Sequence, residues 1–109
     1  MPNKHKFGLN NATIKSLGMI FDRHTQIERV LIYGSRALGK QREGSDIDLV
    51  MIGPKLSYDD LLTVANEIDD LLLPYKIDLS IWHHIDNDQL TKHIEDHGVV
   101  FFERSVAAS

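Results

Sequence analysis

The 109 residues include no cysteine, which removes disulfides, thiolate zinc sites, iron–sulfur clusters and a cysteine nucleophile together. No stretch of about 18 apolar residues is present that could cross a membrane as a helix. The opening Met-Pro-Asn-Lys-His-Lys is polar and leads into no apolar run, so no secretory signal is expected and the expected location is cytoplasmic. Positive charge is not in excess either: 12 Lys and Arg stand against 16 Asp and Glu, for a net charge of −4. That balance argues against a broad nucleic-acid surface and leaves room for a small local phosphate site. Repeats, low-complexity tracts and linkers are missing as well. At roughly 100 to 200 residues per domain, one domain is expected over 1–109, with its core at about 11–104 and frayed ends.

What is present suits a globular chain, with 42% hydrophobic residues. Ile14, Leu17, Ile20 and Phe21 fall at helical spacing behind Asn10 or Asn11 as cap, which predicts a helix ending near His24. Arg29 to Tyr33 reads as a strand stopped by Gly34-Ser35, then a short helical piece and polar loop to Gly44, then a second strand over Ile47 to Ile52. Ser57 with Asp60 forms a variant capping box for a helix carrying Leu61, Leu62, Val64, Ala65, Ile68, Leu71 and Leu72, closed by Pro74. Lys76 to Trp82 alternates strictly as a third strand, with Ile77, Leu79 and Ile81 on one side and Asp78, Ser80 and Trp82 on the other. Asp86 is the expected cap of a last helix through His97, with Gly98 at its C′ position and a short strand over Val99 to Phe102. The order predicts an α/β (α+β) fold, a small mixed β-sheet with helices packed mainly on one face.

Chemistry concentrates between Gly34 and Leu49 and in the third strand. Asp46 and Asp48 are two apart at a strand start, so both carboxylates leave the same face and repel unless a cation lies between them. Hard divalent ions such as Mg²⁺ take such oxygens together with substrate phosphates. Asp78 offers a third carboxylate if its strand is a neighbour, and Asp is disfavoured in strands without a reason. Three carboxylates with two ions can hold a triphosphate, activate a hydroxyl and stabilise a leaving pyrophosphate. Upstream, Gly34 allows close backbone approach and Ser35 adds a hydroxyl at a turn suited to phosphate oxygens. Arg36, Lys40 and Arg42 against the single Glu43 make this loop basic.

An apolar strand, Gly-Ser, ten intervening residues, Asp-x-Asp among apolar residues and a lone strand Asp about thirty residues on resembles the DNA polymerase beta nucleotidyltransferase superfamily. The form Gly-Ser-Arg-Ala-x-Gly followed by Gly-Ser-Asp-Ile-Asp-Leu is similar to its minimal nucleotidyltransferase branch, over about Val30 to Trp82. The resemblance implies transfer of AMP from ATP, with Mg²⁺ in two sites, to an acceptor hydroxyl. Gly34 and Ser35, with Arg36 and Ser45, would then bind the nucleotide, and Asp46, Asp48 and Asp78 would be the metal-holding, catalytic residues. It also implies a HEPN-domain protein as partner, a toxin silenced by adenylylation of a tyrosine. A 109-residue chain that spends its length on this core is expected to have little left for an acceptor domain of its own, which points the same way. Leu38 stands where many relatives carry Arg, removing a phosphate contact. Two other readings remain open: a nucleotide-binding subunit that neutralises its partner by contact alone, and a two-metal phosphoesterase.

Other residues carry weaker signals. His93 and His97 have the i, i+4 spacing of a metal pair but no third ligand, and read as a solvated helix face. His83 and His84 read as loop residues, Trp82 as packing at a strand end, and the Asp59-Asp60 and Asp69-Asp70 pairs as solvated helix charge.

Overall fold

The computed structural model describes residues 6–104; of the frayed ends expected at 1–6 and 105–109 only Lys6 is among the described residues, and it opens a short 3-10 turn (Lys6–Gly8). Helix α1 (Asn11–Arg23) begins where the Asn10 side-chain oxygen accepts a hydrogen bond from the Thr13 amide at 2.8 Å, satisfying a donor that the first turn leaves open. Leu17, Ile20 and Phe21 form its buried stripe. Gly18 lies inside this helix, and a Cβ there would meet nothing within 4 Å. Gly18→Ala is therefore expected to raise stability by about 0.5 to 1 kcal/mol, seen as a higher urea midpoint at unchanged slope. A lower midpoint would mean that this turn of α1 is packed more tightly than described.

Four strands, β1 (Arg29–Tyr33), β2 (Ile47–Ile52), β3 (Ile77–Ile81) and β4 (Val99–Glu103), form one sheet in the order β3-β2-β1-β4. Strand β1 is antiparallel to β2 and β4, while β2 and β3 are parallel. A parallel pair needs a crossover, and helix α2 (Tyr58–Asp69) supplies it. Its start carries the expected reciprocal cap: the Ser57 amide donates to Asp60 Oδ2 at 2.8 Å and the Asp60 amide to Ser57 Oγ at 3.3 Å. A last helix, α3 (Asp88–His97), leads directly into β4.

The mixed sheet agrees with the expected class. The larger core joins Leu17, Ile20 and Phe21 of α1 and Val64 and Ile68 of α2 to Val30, Ile32, Ile47, Leu49, Met51 and Ile81. A smaller cluster of Tyr33, Val50 and Ile94, with Leu31, Trp82 and Leu90 against it, lies on the opposite side. Thus α1 and α2 cover one face and α3 covers the other. Arg104 donates to the carbonyls of Phe21, Asp22 and His24, tying the residue after β4 to the end of α1. Among the described residues no helix is long and apolar enough to cross a membrane.

Several local expectations are corrected. The last helix is capped by Asn87, whose Oδ1 accepts from the Leu90 amide at 3.1 Å, and Asp86 lies before it; two adjacent residues of equal capping chemistry cannot be ranked by type. Gly98 is not left-handed (φ −65). It is glycine because its amide donates to the Ile94 carbonyl at 2.7 Å, where a Cβ would collide with that oxygen. Helix α2 stops at Asp69, well before Pro74, and Leu72 follows in a left-handed conformation (φ 54) with 87% of its surface exposed. Trp82 leaves the sheet for a 3-10 turn, and the short helical piece expected after Gly34 is a chain of turns.

Candidate functional site

The pairing registers assemble one row of polar side chains across three strands. Asp48 of β2 is opposite Tyr33 of β1 and opposite Asp78 of β3, so all three leave the same face of the sheet. Asp46, two residues ahead of Asp48, shares that side. This is the face away from the larger core, at the end of the sheet where β1 finishes and β2 and β3 begin. Asp46 and Asp78 are exposed and Asp48 is half-buried.

The electrostatics follow from this crowding. Burial pushes the Asp48 carboxyl above its ordinary range, and the neighbouring Asp78 and Asp46 push it further, while His93 and Arg36 pull it back. Burial likewise raises the Tyr33 phenol, with Asp78 and Asp48 adding to it and the nearby Ser80 hydroxyl opposing it. Among the described residues, no three Asp, Glu or His side chains stand close enough to enclose a metal ion unaided. The three aspartates therefore lie along one face without closing into a metal cluster of their own, whereas Mg²⁺ takes one or two carboxylates and completes its shell with water and substrate phosphates. The oxygen-only donor set fits such an ion and not a softer one.

Gly34 ends β1 with φ 77, and a Cβ on it would fall onto Asp48 Oδ2. The backbone of the turn is therefore laid directly against the carboxylate, an approach open only to glycine. Beyond it, Leu38 N donates to Gly34 O at 3.2 Å and Lys40 N to Ser35 O at 2.8 Å, and among the described residues the amides of Ser35, Arg36 and Ala37 donate no hydrogen bond. Ser45 Oγ accepts from the Arg42 amide at 2.8 Å, bracing the loop just ahead of Asp46.

Arg36 is where the geometry departs most from expectation. Instead of facing phosphate, the residue is 3% exposed, and its guanidinium donates to Phe7 O at 2.8 Å and to Ser45 O at 3.2 Å (Nε) and 2.8 Å (Nη2). Charge counting makes Arg36 part of a basic loop, but the chain buries it, leaving the exposed Lys40 and Arg42 as the loop's accessible cations.

Two further side chains reach the group. Tyr33 reads in the sequence as an ordinary strand residue, and only its register with Asp48 reveals its place. His93 meets the Tyr33 ring edge-on at 6.2 Å between centroids, and His97 packs on His93 at 5.2 Å. The i, i+3 spacing of His93 from the inward-facing Leu90 is the available signal. By contrast, His83 lies beyond the far end of β3, with Nε2 3.2 Å from Leu56 O. Trp82 packs in the smaller cluster, as its position at a strand end suggests.

Comparison with known proteins places this arrangement. The family described as polymerase beta, nucleotidyltransferase matches residues 15–107. No curated protein matches the chain significantly. Among solved structures, a chain from a toxin–antitoxin crystal structure with AMP-PNP superposes with a TM-score of 0.67 at 20% identity, over 89% of this chain and 76% of that one. A chain from the MntA-HepT toxin–antitoxin gives 0.64 at 13% identity, over 87% and 74%. One from the complex of a tri-AMPylated Shewanella oneidensis HEPN toxin with MNT antitoxin gives 0.63 at 13%, over 85% and 71%. At these identities the likeness is one of fold. The family match is broader in meaning, since it takes in the glycine turn and every strand that carries an aspartate, and by it the chain belongs to the polymerase beta nucleotidyltransferase family.

Proposed function

We propose that the chain is a Mg²⁺-dependent nucleotidyltransferase that moves AMP from ATP to a tyrosine hydroxyl of a HEPN-domain partner, acting as the antitoxin of a toxin–antitoxin pair. The row of Asp48 and Asp78 in matched register beneath the Gly34 turn carries this reading. Gly34 and Ser35 hold the β- and γ-phosphates, with the Ser45 hydroxyl still able to donate alongside. Asp46 and Asp48 hold the two metal ions, and Asp78 serves the catalytic ion and orients the acceptor hydroxyl. The bond from acceptor oxygen to the α-phosphorus forms as the bond to pyrophosphate breaks. Bound Mg²⁺ would neutralise charge on the phosphates and favour loss of the acceptor proton. The MNT–HEPN complexes among the structural neighbours support the choice of partner.

The test is incubation of the full chain with ATP labelled in the α-phosphate, Mg²⁺ and a HEPN protein encoded beside it. Label on the partner together with released pyrophosphate is expected. Release of inorganic phosphate with no labelled partner would replace this reading by the phosphoesterase one. Leu38, 41% exposed on the turn, gives the phosphates no cation and favours a second reading, neutralisation by contact alone. Under it, a chain with both Asp46→Ala and Asp48→Ala would still protect cells from the partner; under the proposed function it would not.

A further inference from the structure

We infer that Arg36 is a positioning residue that latches the N-terminal turn to the nucleotide site, so that the site's shape depends on Phe7 and Gly8, outside it. Its nucleotide arm rests on the function proposed above. One guanidinium joins four segments. Arg36 itself follows Gly34-Ser35; Ser45, whose carbonyl it grips through two nitrogens, precedes Asp46; Phe7 supplies a carbonyl at 2.8 Å; and the Tyr75 ring, three residues before Asp78, lies under the guanidinium carbon at 4.8 Å. Each segment that bears a site residue is thus held next to that residue, from a single buried point.

Stability alone does not call for this arrangement, because a well-packed apolar side chain often serves as well as a buried charge. The partners of Arg36 are main-chain carbonyls, which fix backbone position rather than neutralise charge. The far end of the latch is itself constrained. Phe7 (φ 59) and Gly8 (φ 72) are both left-handed, and a non-glycine residue keeps that conformation only where its surroundings impose it. A Cβ on Gly8 would press on Arg36 Nη1 at 3.1 Å and on Gln41 Nε2 at 2.7 Å, so Gly8→Ala strikes the latch without touching the aspartates or the Gly34 turn.

The experiment compares the full-length protein with Gly8→Ala and Arg36→Met by amide hydrogen exchange and by titration with Mg-ATP. Exchange over residues 34–46 is expected to quicken while α1 and α2 stay protected. Mg-ATP affinity should fall about tenfold, since small misplacements of binding groups have effects of that order or larger. In the transfer assay kcat/KM for ATP should fall by at least that factor, because the latch also holds the segments that carry Asp46 and Asp78. If Arg36→Met fails to fold, Gly8→Ala decides alone. Wild-type exchange over 34–46 in the variants would overturn the latch, and so would quicker exchange with unaltered ATP affinity. A wild-type protein that binds no Mg-ATP would overturn the proposed function instead, and the exchange measurement would still decide whether the latch exists.

Discussion

Asp48→Asn is expected to abolish AMP transfer while making the metal-free protein more stable. The loss of activity follows from removing a charged oxygen from the centre of the carboxylate row. Several kcal/mol of transition-state stabilisation correspond to a fall on the order of a thousandfold or more. The gain in stability follows from the raised carboxyl of Asp48, caused by burial and then by Asp78 and Asp46. A carboxyl raised on folding binds its proton more tightly in the native state. Its favourable contribution is complete below the unfolded pKa, about 3.9 for Asp, and is lost as pH rises through the folded value. At neutral pH the wild type therefore carries a charge that its own neighbours disfavour, and the asparagine variant does not. Thermal unfolding at pH 7 without Mg²⁺ should give the variant the higher midpoint, with the difference closing in acid. Added Mg²⁺ should raise the wild-type midpoint more than the variant's, by mass action on the native state. Equal midpoints at pH 7 and in acid would show that the carboxylates do not crowd one another.

Gly34→Ala should also damage catalysis, though less than Asp48→Asn, and its matched control is Gly39→Ala. Both glycines are left-handed, with φ 77 and φ 72. Each substitution therefore carries a similar backbone strain, on the order of 1 kcal/mol. Their surroundings differ: a Cβ on Gly39 meets nothing within 4 Å, whereas one on Gly34 falls on the Asp48 carboxylate. Either the turn or the carboxylate must move, and a shift of roughly 1 Å can cost about a hundredfold in rate. Measured as kcat/KM for AMP transfer, Gly34→Ala should lose on the order of a hundredfold and Gly39→Ala less than about fivefold. Urea midpoints of the two should stay close. Equal catalytic losses would mean that strain, and not contact with Asp48, sets the effect.

The parts of the site that local geometry dictates were legible in the sequence. Asp46 and Asp48 share a face because strand periodicity is two, whatever the strand packs against. Asp78 stood out because its neighbours alternate so regularly. The glycine turn could be read from chain chemistry for the same reason, although the bonds behind it form turns and not a helix. What tertiary pairing decides was not legible. That Tyr33, Asp48 and Asp78 form one row depends on the register of β1, β2 and β3, which a single strand does not encode. The turn of α3 that brings His93 toward Tyr33 depends on Leu90 and Ile94 settling on the sheet. The burial of Arg36 was not legible for a different reason, because residue type reports charge and says nothing about whether backbone carbonyls will surround it.

The parallel pairing of β2 with β3 also sets when the site can exist during folding. Asp46 and Asp48 leave the ribosome well before Asp78, and the crossover through α2 must close before the third carboxylate arrives at its register. Contacts of such sequence separation form late relative to hairpins and helices. A nascent chain that ends within α2 therefore carries the glycine turn and two aspartates, but not the complete carboxylate row. The row is complete only when the chain has grown past β3.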